Sequence, residues 1–337
     1  MRILLPFLLL AAALAACNPP PPASQSVRYP TTGSVERLDP GLDAFIAPGA
    51  KIEVLADSFS WSEGPLWIES GSFLIFSDVP ENRILKWTED GGDVEYLMPS
   101  GYTGDPATPG EGANGLLLDA QGRLVLCQHG DRRVAYMDAP LGAPEERYVT
   151  LTGSYGGKRF NSPNDACYDR AGNLYFTDPP YGLPLGPDDT VNRELPFQGV
   201  YRLAPDGTVS LLVDSLTKPN GIALSPDERT LYVAVSDPER AWILAYALGP
   251  DGSITGSRLF YDATSFTGSD NKGLPDGLKV HPSGTLFATG PGGVHVISPE
   301  GKALGIIRTG QATANCGFGG GYLYMTAHMY LMRIRLR

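Results

Sequence analysis

Six times along the chain, a carboxylate or amide residue followed by a small or turn-forming residue opens a similar unit. The openers are Glu63-Gly64, Asn114-Gly115, Asn164-Asp165, Asn220-Gly221, Asp276-Gly277 and Asn315-Cys316, spaced 51, 50, 56, 56 and 39 residues apart. Each precedes a strand, in most units a Gly turn, and then a second strand: SFLIFS (72–77), RLVLCQ (123–128), NLYFT (173–177), TLYVAV (230–235), TLFAT (285–289) and YLYMT (322–326). Third strands follow over 83–87, 133–137, 199–203, 242–247, 293–297 and 330–336, and five units add a fourth, such as Thr208 to Asp214. Four strands repeated every 40–50 residues or so is the signature of a β-propeller blade.

The sixth unit lacks a fourth strand. A spare one, Lys51 to Asp57 (KIEVLAD), precedes the first opener, where the other units have their fourth strand. The expected fold is an all-β, six-bladed β-propeller over residues 51–337, closed by the N-terminal strand in the last blade. Such closure leaves only short, protected edges. The 41 Gly and 30 Pro, set between short apolar runs, speak against long helices. A net charge of −11 speaks against a nucleic-acid groove, which needs Lys and Arg to neutralise phosphates.

Ahead of the propeller, residues 1–16 read as a signal peptide. The apolar run Ile3 to Ala16 is too short to span a bilayer, and Leu14-Ala15-Ala16-Cys17 resembles the bacterial lipoprotein box. That resemblance implies a lipidated Cys17 as the sole membrane attachment. Asn18 after it implies the outer membrane, with the protein facing the periplasm. Residues 17–50 then form the lipidated Cys and a tether, Pro-rich over 18–25. The remaining cysteines, Cys127, Cys167 and Cys316, lie in or beside strands and read as buried free thiols, although one disulfide among them is possible. Self-association is not legible.

In a propeller the innermost strands line a central channel, so six equivalent openers bring six polar side chains to one mouth. Glu63, Asn164, Asn220 and Asp276 offer two carboxylates and two amide carbonyls, all oxygen donors. That set suits a hard divalent cation, calcium above all, because calcium accepts such ligands flexibly and leaves room for water and substrate. Zinc is disfavoured by the absence of paired His or Cys, with only four His in the chain. The competing explanation is that Asn-Gly and Asp-Gly are ordinary hairpin turns. Glu63 weakens it, since Glu is not a turn residue yet fills the same slot.

Trp61-Ser62-Glu63-Gly64-Pro65, Asn161-Ser162-Pro163-Asn164-Asp165, Phe176 to Gly182, Pro219-Asn220-Gly221 and Pro275-Asp276-Gly277 together resemble the senescence-marker protein/gluconolactonase/luciferin-regenerating-enzyme family, from about residue 51 onward. The resemblance implies a six-bladed propeller with a divalent metal, usually calcium, at the channel mouth and a sugar lactone as small-molecule substrate. It places the metal on the same four residues, Glu63, Asn164, Asn220 and Asp276; manganese, magnesium or zinc would be substitutes. It also suggests Arg159 as a substrate contact, out of register with the family pattern. A dication there would polarise a lactone carbonyl and acidify water. Asp276 is then the first candidate for general base, and His129, closing the second strand of blade two, is the second. Asn114 and Asn315 complete the ring, either as contacts to substrate or metal-bound water or as plain strand-start turns. Hydrolysis of phosphotriesters or fluorophosphates on the same ligands, and a non-enzymatic binding propeller in the cell envelope, are the competing functions.

Overall fold

The computed structural model describes residues 29–337, apart from Pro106 and Pro109. The signal peptide, Cys17 and the Pro-rich start of the tether lie outside the described residues. Six antiparallel sheets of four or five strands follow one another along the chain. Their innermost strands are Ser62–Ile68, Ala113–Leu118, Ala166–Tyr168, Pro219–Leu224, Leu278–Val280 and Thr313–Gly319. The last blade is closed as expected: Ile52–Ala56 pairs antiparallel with Tyr330–Arg335, Ile52 opposite Ile334 and Val54 opposite Met332.

Ordered pairing begins ahead of Lys51, in a segment the sequence reading gives to the tether. Thr31–Thr32 pairs with the closing strand, and Ser34–Arg37 adds a fifth strand to blade five, Val35 opposite Ile307. Burial explains the attachment. Leu42 and Ile46 are fully buried against Phe287, Val294 and Ile307, and Arg37 donates to the carbonyls of Ile46 and Ala47 at 3.0 and 2.9 Å.

The core is divided into wedges, one between each pair of neighbouring blades. Ile75 packs with Leu126 between blades one and two, Phe160 and Phe176 with Val125 between two and three, and Phe287 with Met325 between five and six. A second strand is covered on both faces by such wedges, so Phe73–Asp78 and Leu174–Asp178 are buried at every position. This is why the second strands read as unbroken apolar runs rather than as alternation. The outer strand Gly92–Leu97 exposes its first four residues.

Candidate active site

The openers are not turns. Glu63, Asn114, Asn220 and Asn315 lie inside the inner strands, each beside a bulge in the pairing with the second strand. Asn164 and Asp276 stand two residues ahead of theirs. A bulge re-aims side chains, and here it turns polar residues towards the axis. The glycines that follow have a different job from the one a hairpin would give them. A Cβ on Gly64 (φ +49°) would strike the Asn114 carbonyl, and one on Gly221 the Asp276 carbonyl. Glycine lets adjacent inner strands close on one another at the hub.

Hydrogen bonds between blades then fix the ring. Gly115 N–H donates to the Asn164 carbonyl at 2.8 Å and Gly221 N–H to that of Asp276 at 3.1 Å. Ser77 Oγ donates to the Asn114 carbonyl at 2.9 Å and Thr177 Oγ1 to that of Asn220 at 2.6 Å.

At the mouth of this ring lies a cavity of about 570 Å³. Glu63, Asn114, Asn164, Asn220, Asp276 and His129 all line it, with Trp61, Glu111, Tyr181, Ser236 and Leu274 around them. Five of the six openers thus converge as the repeat implies. Asn315 does not reach the cavity wall. Its Nδ2 donates to Glu63 Oε2 at 3.2 Å, so it holds another opener in place. Arg159 is not there either. It is exposed on a short outer hairpin, and its guanidinium donates to the Asp131 carbonyl at 3.1 Å. The chain is drawn away because Asn161 and Ser162 bind the Asp178 carboxylate through their backbone N–H groups, both at 2.8 Å, and so turn it before Asn164.

The electrostatics of the ring are unbalanced. Burial pushes Glu63 up to about 7, helped by the Asp165 carboxylate and opposed by the Gly64 N–H, the Asn315 amide and Lys279. Burial, then the Glu63 and Asp165 carboxylates, hold Asp276 well above the ordinary range, with Asn220 and the Gly277 N–H opposing. Asn114 Oδ1 and Asp276 Oδ1 are buried with no hydrogen-bond partner. Among the described residues no three His, Cys, Asp or Glu side chains cluster as metal ligands, so an ion here must draw on amide oxygens. Two mutually repelling carboxylates, unpaired buried oxygens and amide carbonyls on one wall fit a hard divalent cation.

His129 is buried, with Nδ1 2.9 Å from Glu111 Oε2 and Nε2 unpartnered. A carboxylate opposite Nδ1 requires the proton to sit there, which leaves the lone pair of Nε2 available. Glu111 is absent from the sequence reading; it lies in the irregular run Gly110-Glu111-Gly112, and no periodicity marks it. Tyr181 lines the cavity, whereas Tyr155 packs on Tyr201 with ring centroids 5.4 Å apart. His328 is exposed and sits edge-on to Trp61 at 5.5 Å. His281 is half-buried between Phe45 and Phe318. The three cysteines are free, Cys127 and Cys316 buried and Cys167 partly so.

Fold and site define a propeller with a cavity at its hub, where carboxylate and amide side chains meet an apolar wall. The chain belongs to the SMP-30/Gluconolactonase/LRE-like family, whose model matches residues 61–329. It is 37% identical to a gluconolactonase of Zymomonas mobilis over 344 aligned positions, covering 99% of this chain and 95% of that protein. The solved structure of a gluconolactonase from Xanthomonas campestris is 35% identical with a TM-score of 0.77, covering 92% of this chain and 99% of that one. A calcium-binding regucalcin from Agrobacterium tumefaciens, 18% identical over 84% of this chain and 93% of its own, shares the fold at a TM-score of 0.63.

Proposed function

We propose that this protein hydrolyses a sugar lactone to its hydroxy acid, with a divalent metal, calcium foremost, held by Glu63, Asn164, Asn220 and Asp276. The carrying observation is the cavity itself: Glu63 and Asp276, both displaced upward, share it with the unpartnered Asn114 Oδ1, Asp276 Oδ1 and His129 Nε2. Gluconolactonase relatives matched over nearly the whole chain support the same reaction. The ion, when bound, would supply Lewis-acid polarisation of the carbonyl and stabilise the oxyanion.

The residues of this chain do the rest. Trp61, Tyr181 and Leu274 give the sugar ring apolar surface, and Asn114 Oδ1 accepts from a ring hydroxyl or from water. His129, oriented by Glu111, takes a proton from the attacking water at Nε2. It returns that proton to the ring oxygen as the carbon–oxygen bond breaks. Asp276 would serve as a ligand to the ion, its Oδ1 being without a partner in the protein, and His129 takes over the base role first considered for Asp276.

The test is a panel of aldonolactones and a phosphotriester assayed with purified protein, with and without chelator. Chelator-sensitive lactone hydrolysis supports the reading; chelator-independent turnover, or preference for the phosphotriester, refutes it. We also propose a cell-envelope lipoprotein from the Leu14 to Cys17 sequence. Incorporation of labelled palmitate, lost in Cys17→Ser, tests that placement.

A further inference from the structure

When the six repeats are aligned on their openers, two positions break the pattern. One residue after the opener the chain has Gly64, Gly115, Gly221 and Gly277, Cys316 in blade six, and Asp165 in blade three. Three residues after it stand Leu66, Leu117, Cys167, Ala223 and Phe318, but Lys279 in blade five. The two charged departures, Asp165 and Lys279, meet at the axis. Lys279 Nζ lies 3.6 Å from Asp165 Oδ2, the latter side chain almost wholly buried. The same ammonium donates to the Leu278 carbonyl at 3.1 Å and to Asn315 Oδ1 at 3.4 Å. Asn315 in turn directs Nδ2 to Glu63 Oε2, which also accepts from Gly64 N–H at 3.1 Å.

We propose that Lys279 is a built-in counter-charge of the metal centre, neutralising Asp165 and, through Asn315, holding the Glu63 carboxylate in place. The inference rests on the metal reading above. The hub carries three carboxylates, Glu63, Asp165 and Asp276, and one ammonium, which pairs with Asp165; the two negative charges left over are what a single divalent ion cancels. The relay also fixes the Asn315 amide: an oxygen facing Lys279 obliges the nitrogen to face Glu63. Lys279 is therefore a positioning residue and touches no substrate.

The experiment titrates purified protein with Ca²⁺ by calorimetry and with Tb³⁺ by luminescence. Lys279→Met leaves an axial charge suited to a trivalent ion, so the preference for Tb³⁺ over Ca²⁺ rises about tenfold or more, and Lys279→Arg keeps the wild-type ratio. Asn315→Leu, which cuts the relay and changes no charge, weakens both ions about 10–100-fold at an unchanged ratio. The nearly isosteric Asp165→Asn moves the ratio the other way, and it decides the matter where Lys279→Met does not fold. An unchanged Tb³⁺/Ca²⁺ ratio in folded Lys279→Met or Asp165→Asn, or unaltered Ca²⁺ affinity in Asn315→Leu, overturns the proposal. Failure of the wild type to bind either ion refutes the metal reading instead, and this inference with it.

Discussion

Asp178 and Asp276 are acidic residues of one propeller in opposite circumstances. Asp178, at the end of the second strand of blade three, is fully buried and accepts from Asn161 N–H, Ser162 N–H and Asn161 Nδ2, the last at 3.1 Å. Asp276, at the hub, keeps an oxygen with no partner. The histidines divide in the same way. His129 and His295 are each 1% exposed. His295 has both ring nitrogens occupied, by the Tyr261 hydroxyl at 3.1 Å and the Pro291 carbonyl at 3.0 Å, and burial drives its pKa down to about 4. His129 has one nitrogen occupied and the other buried without a partner. A buried polar group that is fully satisfied holds the fold together. One left unsatisfied costs stability and, where it lines a cavity, is open to a ligand.

The largest test of that contrast is a pair of substitutions. Asp276→Asn should abolish divalent binding and lower lactone hydrolysis by about a thousandfold, while leaving the melting temperature of the chelated protein unchanged or higher. Asp178→Ala should instead destabilise by about 3 kcal/mol, since several buried donors lose their acceptor. Calorimetric titration and denaturant unfolding of the two variants check both halves. If the roles were exchanged, the contrast would collapse.

His129→Gln is next in size. It should lower kcat by about a hundredfold, with KM little changed. His295→Gln should cost about 2 kcal/mol of stability and leave kcat intact. A His295 variant that lowered kcat per folded molecule would show that satisfaction of hydrogen bonds does not separate structural from functional histidines here.

These distinctions mark how far the sequence could be read. The ring was legible because its residue chemistry recurs at one slot of a repeat, and the second strands were found to within about two residues of their ends. The glycines after the openers were visible, but their reason was not: only the approach of neighbouring inner strands explains them. Glu111 could not be read at all, since its partner lies 18 residues away and only the fold joins them. Lys279 was legible in principle, as the one lysine at its aligned position among apolar or small residues.

A pH series sharpens the contrast without mutation. Glu63 sits at about 7 in the folded protein against 4.5 in an unfolded chain, and Asp276 is raised as well. The sign follows from proton uptake: the folded state binds these protons more tightly, so the Glu63 contribution is complete below pH 4.5 and is lost as pH rises through about 7, with Asp276 acting in the same direction. Thermal unfolding in chelator should therefore show a melting temperature falling by several degrees between about pH 5 and pH 8. Calcium should reverse that fall, since it binds the ionised pair and competes with protons for it. A flat curve in chelator, or no calcium effect at pH 8, would show that Glu63 and Asp276 are not the strained pair of the hub.

The smallest effect is expected at Arg159, where resemblance and structure disagree. A guanidinium that reads substrate should face the cavity and be held by carboxylates or by the ligand. This one is exposed and donates to the Asp131 carbonyl, and its backbone N–H is tied to Glu194 at 2.8 Å. It belongs with the satisfied groups, at the surface rather than in the core. Arg159→Ala should accordingly change KM and kcat for an aldonolactone by less than about twofold, within the range of a surface substitution. A tenfold rise in KM at unchanged kcat would mean that the outer hairpin folds over the mouth when substrate is bound, and that partnership in the free protein does not exclude a role in recognition.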